Sequence, residues 1–258
     1  MPQIAISVVV PVRNRTGLRL ENCLRSLRWQ EGVDAAAVEI ALSDFGSDAE
    51  HAARIDELAA RHGARVVRVR TDETWNRSRA LNVALRRASG PVALCTDADI
   101  LFEKNFLRTA LGRLGGAPGS SMVLCRCLDL PDMGPERLFE PEEFESLKAR
   151  SQMRKAMGTG ACQATSTAWL ASVGGYDEKY VHWGFEDKDL AYRASKAGLA
   201  LEWIHGETSM LHQWHPKTLR ENMTRVYLNK IRFYLTRGTI KKNAAGWGLP
   251  GGASLDTT

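Results

Sequence analysis

The sequence has no apolar run long enough to cross a bilayer, so it predicts no membrane-spanning helix. Its first seven residues, MPQIAIS, lack a basic segment followed by a long apolar core. No secretory leader is expected, and a cytoplasmic location is. The five cysteines (Cys23, Cys95, Cys125, Cys127, Cys162) are scattered. The only close pair, Cys125-Arg126-Cys127, lacks a second pair to complete a zinc site, so buried free thiols are expected. No block of Lys or Arg forms a nucleic-acid footprint, and no nucleic-acid partner is expected. The turn Pro11-Val12-Arg13-Asn14-Arg15-Thr16-Gly17 is not G-x-G-x-x-G, and no G-x-x-x-x-G-K-[ST] loop occurs. A nucleotide bound here therefore needs a metal to neutralise its phosphates. No internal repeat is visible.

What is present is ordinary for a soluble globular chain. The 258 residues are 44% hydrophobic and 25% charged, enough for one large domain or two small ones. A net charge of +5 with a pI near 9.0 suggests, mildly, an anionic ligand or surface. Residues 4–12 (IAISVVVPV) are β-branched and apolar almost throughout, as a strand covered on both faces reads. Thr16 then caps a helical pattern carrying Leu18, Leu20, Cys23, Leu24 and Leu27. Residues 38–42 form a second strand, and 43–48 a polar turn with an N-cap before a helix to His62 that Gly63 stops. Residues 64–70 alternate as a third strand, 76–88 are helical, and 91–95 are a fourth strand. Alternating strands and helices predict an α/β fold, a mostly parallel sheet flanked by helices. Ligands of such sheets sit beyond the carboxyl ends of the strands, where Arg13, Asp44, Asp72 and Asp97 all fall.

The fourth strand exits into Cys95-Thr96-Asp97-Ala98-Asp99-Ile100. In extended chain, residues i and i+2 share a face, so Asp97 and Asp99 are expected to converge on a hard divalent ion. The competing reading is an N-cap for a helix starting near Glu103.

The second half is less regular. Residues 122–128 read as a strand and 129–134 as a loop. Residues 141–155 read as an exposed helix or a lid. Residues 162–166 form a strand, 174–177 a turn, 185–196 a helix, and 200–204 and 209–211 short strands. Residues 219–235 are amphipathic, with Met223, Val226, Tyr227, Ile231 and Tyr234 on one face. One domain is expected over 1–243, with a nucleotide-binding half to residue 115 and an acceptor half beyond it. Residues 244–258 are rich in Gly, Ala, Pro and Thr and are expected to be a disordered tail.

Several pieces occur in a familiar order: Val9-Val10-Pro11-Val12-Arg13-Asn14, Leu42-Ser43-Asp44-Phe45-Gly46-Ser47-Asp48, Arg79-Ala80-Leu81-Asn82, Thr96-Asp97-Ala98-Asp99, Gly174-Gly175-Tyr176-Asp177-Glu178, Trp183-Gly184-Phe185-Glu186-Asp187-Lys188-Asp189-Leu190 and His212-Gln213-Trp214-His215-Pro216. Together they cover most of residues 4–216. In them the chain resembles the GT-A-fold glycosyltransferases of family 2. Its second half resembles the galactosyltransferase C-terminal segment of β-1,4-galactosyltransferases and chondroitin-polymerase domains. It departs from that pattern at Ser43, where the family often has a second acid, and at Phe185, where galactosyltransferases tend to have glycine.

The resemblance implies roles. Pro11, Arg13 and Asp44 would line a nucleotide-base pocket, with Asp44 accepting from a uracil N–H, and Arg79 would sit near the pyrophosphate or ribose. Asp97 and Asp99 would bind the ribose and a metal, with His212 as the third protein ligand. Asp187 would be the catalytic base, Glu186 would hold hydroxyls, and Trp183 would floor the sugar site. The residues themselves agree on the chemistry. Trp183-Gly184 sets an aromatic face beside a residue with no side chain, so a sugar ring can approach closely. Against this, Glu186 and Asp187 at a helix start are also what the helix dipole favours, and Asp189 reads as a pure first-turn acid.

His212, following a strand, is better aimed than His215, though the choice between them stays open. A mixed Asp/His set favours Mn²⁺ over Mg²⁺. Trp75 and Trp214 are acceptor platforms or packing residues. The expected reaction is a metal-dependent, inverting transfer of a hexose or N-acetylhexosamine from a nucleotide sugar, a UDP-sugar first, to a glycan, lipid, peptide or small-molecule hydroxyl. Contact with a membrane surface is left open. The rivals are a retaining transferase of the same fold, a nucleotidyltransferase, and a non-catalytic binding module, which has no need of a base beside a metal.

Overall fold

Ile6–Val12 (β1) is buried along its whole length, because its two faces serve two different cores. Val8, Val10 and Val12 point one way and join the cluster containing Leu20, Leu24, Leu27, Ile55 and Leu58. Val9 points the other way, to Ala80, Leu81, Ala84 and Leu190. This is the two-residue period of a strand sandwiched between helical layers.

A computed structural model describes residues 3–115, 119–155, 158–216, 223–243, 246–249 and 254–257. After β1 come α1 (Leu18–Arg28), β2 (Val38–Phe45), α2 (Ala49–His62), β3 (Arg65–Arg70), α3 (Arg77–Leu85) and β4 (Val92–Cys95). Next are β5 (Ile100–Phe102), α4 (Phe106–Leu114), β6 (Ser121–Leu124), β7 (Cys127–Asp129), α5 (Phe144–Arg150), β8 (Gln152–Met153) and β9 (Gln163–Ser166). Last are α6 (Thr167–Ser172), α7 (Glu186–Lys196), β10 (Ala200–Trp203), β11 (Met210–His212), α8 (Met223–Thr236) and β12 (Ser254–Thr257). The caps foreseen for α2 are present: the Asp48 side chain accepts from the His51 N–H, and Gly63 closes the helix at φ 60°.

The main sheet runs β10-β6-β9-β4-β1-β2-β3-β12. Only β9 and β12 oppose the common direction, so it is mostly parallel, as expected. The chain leaves β1 toward β2 on one side and returns to β4 on the other. The carboxyl ends of β1 and β4 therefore lie side by side, with Val9 opposite Cys95, and open the crevice where such sheets bind ligands. Pro11 fits in this central strand because it lies past that last β1–β4 pair, where its missing N–H is not needed. A second sheet, β5-β11-β7-β8, stands at the rim.

Several expectations are corrected. The single strand expected over 122–128 breaks at Cys125 into β6 and β7, which belong to different sheets. Residues 141–155 hold one short helix, α5, exposed at Glu145, Ser146, Ala149 and Arg150 but anchored on its other face. Phe144 and Leu147 of α5 are buried with Phe139, Leu101 and Leu211 against the second sheet. The inward face of α8 is set by Asn229 and Phe233, while Tyr227, Ile231 and Tyr234 face outward. The tail is not wholly disordered. Trp247 packs against the second core, Arg86 donates to its carbonyl at 2.7 Å, and β12 pairs antiparallel with β3. The remainder of the expected tail lies outside the described residues, as do residues 219–222 of the expected amphipathic helix.

Asp189 is more than a first-turn acid. It is fully buried with Arg193, one helical turn on, with Nε to Oδ2 at 2.7 Å. The guanidinium also donates to the carbonyls of Gly175 and Ile240, tying α7 to the segment after α8. Burial raises the Asp189 pKa, against the pull of Arg193 and Lys242. Removing one partner strands a charge, so Arg193→Met should cost about 3–5 kcal/mol in a urea melt. A loss under about 1 kcal/mol, the surface-pair range, would contradict this placement.

Candidate active site

The β4 exit is fixed by Thr96, whose N–H donates to the Val9 carbonyl at 3.1 Å and whose hydroxyl donates to the Ala161 carbonyl at 2.8 Å. Beyond it the chain turns and does not stay extended, so the i, i+2 rule lapses. Asp97 and Asp99 therefore diverge. Neither caps a helix, since α4 begins at Phe106 after Asn105.

Asp99 faces two histidines. In the second sheet His212 pairs opposite Ile100, which places its ring beside Asp99, and the Gln213 N–H donates to the Asp99 carbonyl at 2.9 Å. His212 Nε2 lies 3.9 Å from Asp99 Oδ1 and His215 Nε2 lies 3.6 Å from Asp99 Oδ2. These gaps are too long for hydrogen bonds and suit donors sharing a cation. Each imidazole has its other nitrogen occupied: His212 Nδ1 is 3.3 Å from Asp129 Oδ1, and His215 Nδ1 is 3.0 Å from the Pro216 carbonyl. A proton on each Nδ1 would leave both Nε2 lone pairs toward Asp99. Burial holds the His212 pKa below its ordinary value despite Asp99, which favours the neutral ring that a ligand needs. Asp99 Oδ1 is buried without a hydrogen-bond partner. Among the described residues, Asp99, His212 and His215 form the group able to hold a metal ion, and a divalent cation fits it. Both histidines belong to the set, whereas sequence reasoning favoured His212 alone.

Asp97 turns the other way. Its Oδ1 accepts from Arg77 Nε at 3.0 Å and Nη2 at 2.8 Å. Asp97 is thus a guanidinium partner, outside the Asp/His cluster. Arg77 was not singled out from the sequence. It opens α3 and is buried. Its Nη2 also donates to the Gly160 carbonyl, and its Nη1, without a hydrogen-bond partner, lies 3.9 Å from Glu186 Oε1. Burial works against its charge, but Asp97 and Glu186 together hold its pKa above the ordinary value. Arg79 points away, to Glu73 and, at 3.6 Å, to Glu178. Two helical positions separate them, a rotation of roughly 200°, so one of the pair can face the site and it is Arg77.

The start of α7 brings two more carboxylates. Glu186 is buried, and its Oε2 has no hydrogen-bond partner. Burial and the adjacent Asp187 push its pKa up to about 7, against Arg77. Asp187 is half-buried, with Oδ2 accepting from the Thr159 N–H at 3.2 Å and hydroxyl at 2.8 Å. A side chain at Gly160 would meet that carboxylate at 3.4 Å. Before the helix the backbone is left-handed at His182, Gly184 and Phe185. At Phe185 (φ 75°) this costs about 1–3 kcal/mol. It is offset by the contact of its ring with Phe233, 5.7 Å between centroids. The twist leaves Trp183 on the surface, 69% exposed beside Gly184.

The other expected nucleotide residues are more occupied than foreseen. Asp44 is fully buried, with Oδ2 on Arg68 Nε at 2.7 Å and Oδ1 accepting from the Ser47 N–H at 3.1 Å. In this geometry its carboxylate supports the β2–β3 edge and shows no free face to a base. Pro11 is buried in β1. Arg13 donates to the Glu73 carbonyl at 2.6 Å and lines a cleft of about 470 Å³ with Arg15, Arg19, His51, Asp99 and His215. The cleft is a basic basin against the Asp/His cluster.

Against this geometry the comparisons are specific. The model of glycosyl transferase family 2 matches residues 7–169. The chain belongs to glycosyl transferase family 2. A second match, over residues 142–216, is to what is described as the N-terminal domain of galactosyltransferase, in the half where the galactosyltransferase resemblance is expected. Among curated relatives, validoxylamine A glucosyltransferase of Streptomyces hygroscopicus subsp. jinggangensis is 24% identical over 88% of this chain and 60% of its own length. Human polypeptide N-acetylgalactosaminyltransferase 10 is 23% identical over 76% of this chain and 36% of its own. The chain thus spans about 60% of the length of the first relative it matches. Among solved structures, GalNAc-T7 with UDP, GalNAc and Mn²⁺ superposes at TM-score 0.66, with 18% identity, over 89% of this chain and 48% of that one. The Pyrobaculum calidifontis mannosyltransferase PcManGT, in complex with GDP-Man and Mn²⁺, gives 0.62 at 19% identity over 92% and 63%. The fold of this family 2 chain is the GT-A fold.

Two outcomes follow from the site. Asp99→Ala, His212→Ala and His215→Ala should each abolish Mn²⁺ binding in calorimetry with the metal alone. Asp129→Asn should weaken it about 10–100-fold, and Asp97→Asn should barely change it; a strong Asp97→Asn effect would return Asp97 to the ligand set. For Glu186, the folded chain holds the proton more tightly than the unfolded chain. Stability is therefore lost as pH rises from about 4.5, the ordinary value, to about 7. Glu186→Gln should be more stable than wild type by about 3 kcal/mol at pH 8 and nearly equal at pH 4.5 in urea melts with EDTA. A pH-independent difference would reject the assignment.

Proposed function

We propose that this family 2 chain is a metal-dependent inverting glycosyltransferase that moves a hexose or N-acetylhexosamine from a nucleotide sugar, a UDP-sugar first, to an acceptor hydroxyl. The observation that carries this reading is the pairing of two sets of groups at one rim. Asp99, His212 and His215 form a cation site beside a cleft rich in arginine, and Asp187 and Glu186 stand at the start of α7. The first set suits a diphosphate and the second suits proton transfer. The relatives named above are sugar transferases, and two structural neighbours are Mn²⁺ complexes.

A bound Mn²⁺, favoured over Mg²⁺ by the two imidazoles, would stabilise charge on the departing nucleoside diphosphate. Arg13, Arg15 and Arg19 line the cleft where that diphosphate would lie. Arg77 fixes Asp97 and leaves the second Asp97 oxygen for a ribose or sugar hydroxyl. Asp187, oriented by Thr159 through Oδ2, keeps Oδ1 to accept the acceptor proton. Glu186, its pKa near neutrality, would hold a sugar hydroxyl, and Trp183 would floor the sugar. Asp44 could receive a uracil only if the Arg68 and Ser47 contacts open, so we assign it a supporting role. Arg79 we assign to bracing Glu73 and Glu178. The acceptor is a glycan, lipid, peptide or small molecule. No helix among the described residues is long and apolar enough to cross a membrane. The five cysteines are buried thiols, which supports a reducing, cytoplasmic setting.

A second reading makes Glu186 the base, because its pKa near 7 is poised for proton transfer. Kinetics with a responsive donor from a nucleotide-sugar panel, with and without Mn²⁺, separate the two. Asp187→Asn should cut kcat about 10²–10⁴-fold with little change in donor binding, and Glu186→Gln should act on KM. Proton NMR of the product should show inversion at the anomeric carbon. Near-normal kcat for Asp187→Asn, or retention, would overturn the proposal. UDP with Mn²⁺ at about 100-fold above its Kd should stabilise the fold by about 2.7 kcal/mol, and EDTA should remove most of that gain.

A further inference from the structure

Helix α8 is attached to the domain by its polar side. The Asn229 amide donates to the carbonyls of Val181 and Trp183, at 3.1 and 3.2 Å. Arg232 pairs with buried Asp177 at 2.8 Å. Among the described residues of the inward face, Phe233 is the buried apolar one. The apolar residues Tyr227, Leu228, Ile231, Tyr234 and Leu235 are all exposed, Leu235 at 80% and Tyr227 at 63%. At about 100° per residue they form one stripe roughly 120° wide, pointing away from the core. Trp183, 69% exposed, continues this surface toward the site, and Val226 Cγ1 lies 3.8 Å from where a Gly184 Cβ would be.

The charges around the stripe identify what covers it. Residues 223–243 contain six Lys and Arg and no Asp or Glu. Arg232 and Lys242 are committed to Asp177 and Asp189, and Arg237 lies over the rings of Tyr192, Phe233 and Tyr234. Arg225, Lys230 and Lys241 are exposed. On the helical wheel, Lys230 and Arg237 border one edge of the stripe and Arg225 the other. An apolar stripe with tyrosines, bordered on both sides by cations, is complementary to an anionic lipid surface, with side chains in the acyl boundary and cations at the phosphates.

We propose that the outward face of α8, with Trp183 at its margin, docks this protein on anionic membranes. The docking stands independently of the transferase reading, because it needs neither nucleotide nor catalysis. The test is flotation of the full chain, without nucleotide or metal, with phosphatidylcholine vesicles with and without phosphatidylglycerol. The protein should float with the anionic vesicles and at least about tenfold less with neutral ones or at high salt. Leu228→Ser/Leu235→Ser should reduce flotation at least tenfold with an unchanged melting temperature, since both side chains are exposed. Lys230→Glu/Lys241→Glu, which leaves the stripe intact, should remove the preference for anionic lipid. Absence of flotation, or flotation that both double variants leave intact, overturns the proposal. A dimer in light scattering that Leu228→Ser/Leu235→Ser dissociates also overturns it, by giving the face to a second copy. Loss of the UDP–Mn²⁺ response with flotation intact would count against the transferase reading alone.

Discussion

Too many carboxylates meet too few fixed cations at the rim of the main sheet. Asp97, Asp99, Glu186 and Asp187 are brought there by the exit of β4 and the start of α7. Among the described residues, Arg77 is the buried cation that touches this group directly. Its guanidinium is spent on Asp97 and reaches Glu186 only at 3.9 Å. Burial, joined by the adjacent Asp187, pushes the Glu186 pKa up to about 7. Asp99 faces two imidazoles whose Nε2 atoms stand 3.6 and 3.9 Å away, with the exposed Arg15 guanidinium at 3.7 Å. The unpaired buried oxygen of Asp99 is what a divalent cation would satisfy.

That imbalance needs a rigid frame, and the frame is partly electrostatic itself. Asp177 and Asp189 are buried behind the site and neutralised by Arg193, Arg232 and Lys242. This second cluster is paired throughout, so it stabilises where the first one is left poised. It holds α7 in register with α8 and the turn at Gly175. The left-handed backbone at Phe185 is accompanied by packing of its ring on Phe233. The glycine that galactosyltransferases tend to carry there would meet the conformation without strain, and would lose that contact. The fold thus aims Asp187 and exposes Trp183 through packing from α8, an element remote in sequence.

The failures of sequence reading share a cause. Asp97 and Asp99 were expected to converge because the strand was extrapolated one turn too far. Arg79 was preferred to Arg77, although only a helix phase separates them. The α8 face was read from hydrophobicity, whereas polar anchors orient the helix and turn its apolar stripe outward. Asp44 is expected to face a base, and its carboxylate is held by Arg68 on the neighbouring strand. Each difference concerns which way a side chain points where period or register was not fixed by the local pattern.

What the sequence by itself determined is the alternating architecture and the set of elements whose ends carry chemistry. Continuous apolar strands, capped helices and the Trp183-Gly184-Phe185-Glu186-Asp187 run are local signals, because burial period and turn chemistry act over a few residues. Only the tertiary structure decided the partners. The pairing of Ile100 with His212 brings together Asp99, His212 and, through the following turn, His215, more than 110 residues away. The placement of α3 against β1 and β2 gives Asp97 to Arg77. Convergence of groups so distant along the chain is set by strand pairing and helix packing, and no pattern within either segment records it.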